Sequence, residues 1–216
     1  MASSLLPRTH LSTRQLRALI RLFALEVPAN RAAQEIGVNR HTAERIYLLI
    51  RRALVQACET EARLDGEIDV DESYFGGVRK HLRGRAVQGK VVVFGLLKRR
   101  GRVYTRPVPN VTRAGLRRII RQKVPRGSTI YSDGFRSYDG LLTDGYRHYR
   151  ILHEQTFAHS RRRPINGIEN FWGFAKTKLR RYYGIRRSHF VLYLKEMEFR
   201  FNHRREDLPR LIERIL

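Results

Sequence analysis

A chain of 216 residues, 42% hydrophobic and 30% charged, has apolar side chains enough for one medium domain and a small one. Cys58 is its only cysteine, which excludes internal disulfides and cysteine-rich zinc sites; no stretch has the length of a membrane helix. The 44 Lys and Arg against 20 Asp and Glu give a formal charge of +24, an excess that a polyanion normally neutralises. The start, MASSLLPRTH, lacks the apolar run of a signal peptide, so a reducing cytoplasm, close to the nucleoid, is the expected location. Arginine clusters at Arg161-Arg162-Arg163, Arg180-Arg181 and Arg186-Arg187 favour phosphate oxygens, which guanidinium forks match bidentately. No basic amphipathic helix beside a hydrophobic anchor supports a membrane partner.

The first sixty residues read as helical. Ser12 or Thr13 caps a helix to about Leu25, with Leu16, Leu19, Ile20 and Phe23 at helical spacing. Pro28 ends one element, and a short helix is expected from Asn30 to Ile36. Gly37 then allows a tight turn, and Asn39 caps a longer helix from Arg40 to about Cys58. A short helix, a glycine turn and a polar-start helix form the helix-turn-helix pattern, whose second helix docks in the DNA major groove. Asn39, Arg40, His41 and Arg45 are its candidate DNA contacts, with Arg161, Arg162, Arg163 and Arg180 as further phosphate contacts. The competing reading is a three-helix bundle that binds protein or dimerises.

From Gly66 the period changes to two. Glu67 to Phe75 alternates carboxylate and apolar residues, a half-buried strand ended by Gly76-Gly77 and followed by a basic loop from Arg79 to Arg85. Lys90 to Leu97 and Arg102 to Val108 read as a hairpin turning at Arg100-Gly101. Thr112 caps a helix to about Gln122. A strand from Ser128 to Ser132, a short helix from Phe135 to Leu142 and a strand from Tyr146 to Leu152 follow. Helices then run from Asn166 to Arg180 and from His189 to Asn202. Three antiparallel strands, helix, strand, helix, strand and terminal helix is the order of an RNase H-like fold. The expected architecture is α/β: a small all-α helix-turn-helix domain over residues 1–62, then a mixed five-stranded sheet with flanking helices over residues 63–216.

Metal-assisted phosphoryl transfer on DNA needs carboxylates converging from separate elements around hard cations. Asp71 is central in the first strand, Asp133 follows the fourth, and Glu169 begins the long late helix. Each has another reading. Asp133-Gly134 is an ordinary turn dipeptide, Glu169 is favourable charge in a first helical turn, and the Glu67, Asp69 and Asp71 face of the strand can be solvated. A carboxylate within an Ile/Val/Phe strand is nevertheless costly unless paired or metal-bound. Phe171 and Trp172 read as core packing. His153, His159 and His203 are not expected to bind metal, and Glu72 should point opposite to Asp71.

The stretches IDVDESYFGG, IYSDGFRSYDGL, INGIENFWGFAKTKL and HFVLYLKEMEFRFNHR together resemble the insertion-sequence DDE transposases of the ISXO-like group, from about Gly66 to Arg204. The resemblance implies an RNase H-like core and Mg²⁺ dependence, with Asp71, Asp133 and Glu169 as the metal-binding triad. Two ions are expected, Mn²⁺ being able to substitute. It also implies a role for Lys176: seven residues return a helix almost to its starting azimuth, about 10 Å further along, so Lys176 shares the face of Glu169 and can reach a DNA phosphate. Many relatives carry a cysteine-rich zinc ribbon ahead of the helix-turn-helix. Without one, the helical domain is left to recognise DNA ends unaided. The expected partners are double-stranded DNA, as transposon ends and target, and a second copy of the chain, since joining two ends calls for at least a dimer. The expected function is end cleavage followed by strand transfer. A nuclease that cleaves without joining, or a catalytically idle DNA-binding relative, are the alternatives.

Overall fold

The structure, a computed structural model, describes residues 10–76, 90–132, 140–151, 166–182 and 184–216. Asp133, the loop from Arg79 to Arg85, most of the short helix expected from Phe135, His153, His159 and Arg161-Arg162-Arg163 lie outside those residues. In chain order the elements begin with α1 (Thr13–Ala24), α2 (Ala29–Ile36), α3 (Arg40–Thr60), β1 (Glu67–Phe75), β2 (Val91–Lys98) and β3 (Val103–Val108). They continue with α4 (Arg113–Lys123), β4 (Thr129–Ser132), β5 (Arg147–Arg150), α5 (Asn166–Arg180), α6 (Phe190–Asn202) and α7 (Leu208–Ile215). No helix among the described residues is long and apolar enough to cross a membrane.

The chain divides into two compact units, residues 1–61 with 185–216 and residues 62–184. In the helical unit, the Ser12 hydroxyl accepts from the Gln15 backbone N–H while the Gln15 side chain accepts from Ser12 N–H, a reciprocal cap that starts α1. Gly37, at φ 69°, ends α2 in the left-handed conformation that glycine adopts without strain. The Asn39 side-chain oxygen Oδ1 accepts from His41 N–H at 2.8 Å and opens α3. Leu19, Ile20 and Phe23 of α1, Ala32 and Ala33 of α2 and Ala43, Ile46 and Ile50 of α3 share a core with Phe199 of α6 and Ile212 of α7.

The sequence assigns residues 63–216 to one catalytic domain, whereas the structure gathers residues 185–216 with the first three helices. The reason is α6, which is buried from Leu194 to Arg200 and takes charge inside with it. Glu196 accepts from Arg51 Nε at 2.7 Å and from Arg200 Nε at 2.9 Å. Arg200 also donates to the carbonyls of Phe23 (2.7 Å) and Ala24 (2.9 Å), satisfying the last turn of α1. Lys195 pairs with Glu59 at 2.9 Å and Glu198 at 3.0 Å. Buried ions of this kind are tolerated only when each finds its counter-charge.

In the sheet unit the strand order is β3-β2-β1-β4-β5. The first hairpins are antiparallel, and β4 and β5 run parallel to β1. This mixed sheet with flanking helices is the RNase H-like arrangement. One face is apolar: Ile68, Val70, Phe94, Leu96, Tyr104 and Ile130 pack on Leu116, Ile119, Ile120 and Val124 of α4 and its end. The fork of Arg117 on Asp144, 2.5 and 2.6 Å, with Arg121 at 2.6 Å, ties α4 to the turn before β5. These arginines hold the Asp144 carboxyl well below the usual carboxylate range. The opposite face carries α5.

Candidate active site

Alternation on β1 sends Ile68 and Val70 to the α4 face and Glu67, Asp69, Asp71, Ser73 and Phe75 to the α5 face. α5 runs along this second set in step with the strand. A Cβ at Gly167 would stand 3.5 Å from Asp69 Oδ2 and 2.5 Å from Leu97 Cδ2, so the start of the helix lies over the Asp69–Leu97 pair. One turn on, Trp172 covers Gly95, the residue opposite Asp71, where any Cβ would fall 2.5 Å from the indole Cζ2. Gly95 is thus a close approach that no other residue permits without moving the ring. Trp172 also packs edge-on against Phe75 at 5.9 Å, and Lys176 Nζ lies 5.7 Å from the centre of the Phe75 ring.

The indole does more than fill space. Its Nε1–H donates to Asp71 Oδ2 at 3.0 Å, joining α5 to the middle of β1. Asp71 is half-buried there, and Trp172 and Phe171 are buried, as expected of core packing. Glu169, in the first turn of α5, is exposed. At about 100° per residue, Glu169, Lys176 and Arg180 fall within about 40° of one another on the flank roughly opposite Gly167. All three side chains are exposed. Ser132, the last residue of β4, precedes Asp133 in the chain. Among the described residues no three His, Cys, Asp or Glu side chains converge as a metal-binding group.

Asp69, two residues before Asp71 on the same face, has a different environment. It is buried, and Arg99 Nε donates to its Oδ1 at 3.0 Å. Burial pushes its carboxyl up to about 6, against the opposing pull of Arg99. Arg99 stands over the Tyr131 ring at 3.6 Å, and the Tyr131 hydroxyl donates to Glu67 Oε1 at 2.8 Å. This cluster was not anticipated from the sequence; a lone arginine after an apolar strand carries no signal for it. Gly95 within VVVFGLLK did carry one, since an isolated glycine in a strand marks a close approach.

The candidate DNA contacts of the helical unit line the start of α3. Asn39, Arg40, His41 and Arg45 are all exposed. Asn39 is engaged as the helix cap, and Arg40 pairs with Glu44 at 2.7 Å, one turn along. Arg45 has no ion pair among the described residues.

Residues 63–202 match the model of the ISXO2-like transposase domain. An uncharacterized transposase-like protein of Haemophilus influenzae is 51% identical over 102 residues, 47% of this chain and 82% of that protein. An uncharacterized protein in transposable element ISH50 of Halobacterium salinarum is 24% identical over 183 residues, 77% of this chain, and the chain spans 61% of its length. A solved chain from the simian T-cell lymphotropic virus intasome in complex with PP2A regulatory subunit B56 gamma aligns with 86% of this chain and 68% of its own. Its TM-score is 0.45, at 14% identity.

Proposed function

The chain belongs to the ISXO2-like transposase family, and on that premise we propose that it cleaves DNA at transposon ends and joins the freed ends to target DNA. The proposed site consists of Asp71, Asp133 and Glu169. The observation that carries this reading is the Trp172–Asp71 hydrogen bond, because the helix it fixes against β1 bears Glu169 and Lys176 on one exposed flank. Carboxylate oxygens from separate elements suit hard divalent cations, so Mg²⁺, or Mn²⁺ in its place, fits the donor set of Asp71 and Glu169 with Asp133. Bound metal ions would activate the attacking hydroxyl and offset charge on the leaving oxygen. Asp71 supplies its ligand oxygen in an orientation set by the indole N–H. Lys176 neutralises a DNA phosphate beside the carboxylates, and Arg180 a neighbouring one, with Arg161, Arg162 and Arg163 adding to the same contact set. In the helical unit, α2 and α3 act as a helix-turn-helix, with Arg45, Arg40 and His41 facing the major groove. Joining two ends requires at least two copies of the chain.

The test is a strand-transfer assay on duplexes carrying matched end sequences in Mg²⁺. Wild-type chain should yield cleaved and joined products, and Asp71→Ala, Asp133→Ala and Glu169→Ala should each yield neither while retaining the wild-type unfolding midpoint. Cleavage without joining identifies a nuclease; end-specific binding without cleavage identifies an idle relative. Deleting residues 1–62 is a poor probe of recognition, because α6 would lose its core partners. Arg45→Ala is the cleaner variant.

A further inference from the structure

We propose that Tyr149 is a stacking platform for an unpaired nucleobase of the DNA strand being processed, an inference that rests on the transposase reading above. Three planar groups form a ladder on the α5 face of the sheet. The Arg99 guanidinium lies 3.6 Å from the centre of the Tyr131 ring. Tyr131 and Tyr149, paired in register across the parallel strands β4 and β5, stack at 5.5 Å with 21° between their planes. Asp69, the β1 partner of Tyr131, fixes the face, since Arg99 holds Asp69 as it caps the ladder. The ladder therefore starts beside the acid two residues from Asp71 and runs toward the sheet edge.

Its inner members are committed. Arg99 is bound to Asp69, and Tyr131 is half-buried with its hydroxyl on Glu67. The outer one is not: Tyr149 is 54% exposed. A cross-strand pair serving only the sheet gives no reason to leave half of an aromatic ring in water. The group that extends such a stack is another π-face, and at a DNA-processing site that is a base. The surroundings agree. Arg147 shares Tyr149's face of β5 by alternation, is exposed, and has no ion pair among the described residues. It is placed for the phosphate of the stacked nucleotide. A duplex base pair cannot offer a free face there, whereas a frayed or cleaved end can.

The experiment measures binding of the full chain to a short oligothymidylate and to a blunt duplex, by fluorescence anisotropy in EDTA. Tyr149→Ala should weaken oligothymidylate binding about ten-fold and leave duplex binding unchanged, and Tyr149→Phe, which keeps the π-face, should restore it. Equal affinity of Tyr149→Ala and wild type for oligothymidylate, parallel loss on both probes, or a Phe variant as weak as Ala would each overturn the platform. A 2-aminopurine in the oligonucleotide supplies a readout on the wild-type chain, independent of any variant's folding. Stacking quenches it, and unquenched fluorescence in the saturated complex rejects the proposal. These outcomes separate from failure of the transposase reading, which Asp71→Ala decides by cleavage alone.

Discussion

In the helical unit the buried charges of α6 are met by opposite charges at hydrogen-bonding distance, whereas on the α5 face of the sheet Asp71 is met by the neutral N–H of Trp172. Asp69 lies between these cases. It shares the strand face of Asp71 but is buried against Arg99, in the manner of the α6 charges. A full positive partner satisfies a carboxylate and competes with any cation for it. A neutral donor fixes the carboxylate's orientation. The contrast sets charges closed within the core by full counter-charges against a carboxylate that an indole N–H orients, and Asp69 and Asp71 show both two residues apart on one strand.

Three substitutions probe the contrast. The largest effect is expected at Glu196, where alanine strands Arg51 and Arg200 together. Denaturant unfolding of Glu196→Ala should show a loss of about 3–5 kcal/mol, and a loss below about 1 kcal/mol would mean the network is hydrated rather than closed. Next comes Trp172→Phe, which keeps an aromatic ring over Gly95 and removes the donor to Asp71. The Mg²⁺ concentration for half-maximal cleavage should rise about ten-fold with little change in unfolding midpoint. An unchanged metal requirement would reduce the indole to packing. The smallest effect belongs to His203, whose ring nitrogens face Glu61 at 3.4 Å and Glu206 at 2.7 Å. The hydrogen bond with Glu61 and then the one with Glu206 raise its pKa, so the folded state favours the protonated ring. That stabilisation is complete below the ordinary histidine value near 6.5 and fades as pH rises through the folded one. Wild type should exceed His203→Gln in stability by less than about 1 kcal/mol in acid, with the gap closing as the pH becomes alkaline.

Local pattern carried much of the fold. β1 runs from Glu67 to Phe75 and α5 from Asn166 to Arg180, the bounds expected from a period of two and from a helical apolar stripe. α3 continues to Thr60, past the expected Cys58, because nothing in Glu59-Thr60 breaks a helix. α7 was not expected, although Asp207 as a cap and Pro209 in the first turn signal a helix start. What local pattern cannot convey is which charges are inside. In the stretch LKEMEFR, Lys195, Glu196, Glu198 and Arg200 look like a solvated face, and only the arrival of α1 and α3 around them makes them core. The indole bond to Asp71 was hidden for a similar reason: it joins residues 101 positions apart. Trp172 and Phe171 could be assigned to packing from composition alone, but the extra task of one ring depends on a glycine in another strand.

The discontinuous helical unit also bears on how the chain is made. α1, α2 and α3 leave the ribosome first, yet Phe199, Arg200 and Ile212, which close their core, follow roughly 140 residues later. At about 5–20 residues per second, that separation is on the order of ten seconds or more. The sheet unit is contiguous from residue 62 to 184 and has all its strands in hand before then. The sheet can therefore close while the first three helices still lack the arginine that caps α1. A nascent or prematurely stopped chain ending before α6 would expose Leu19, Phe23 and Ile50, a surface for chaperones and proteases rather than for DNA.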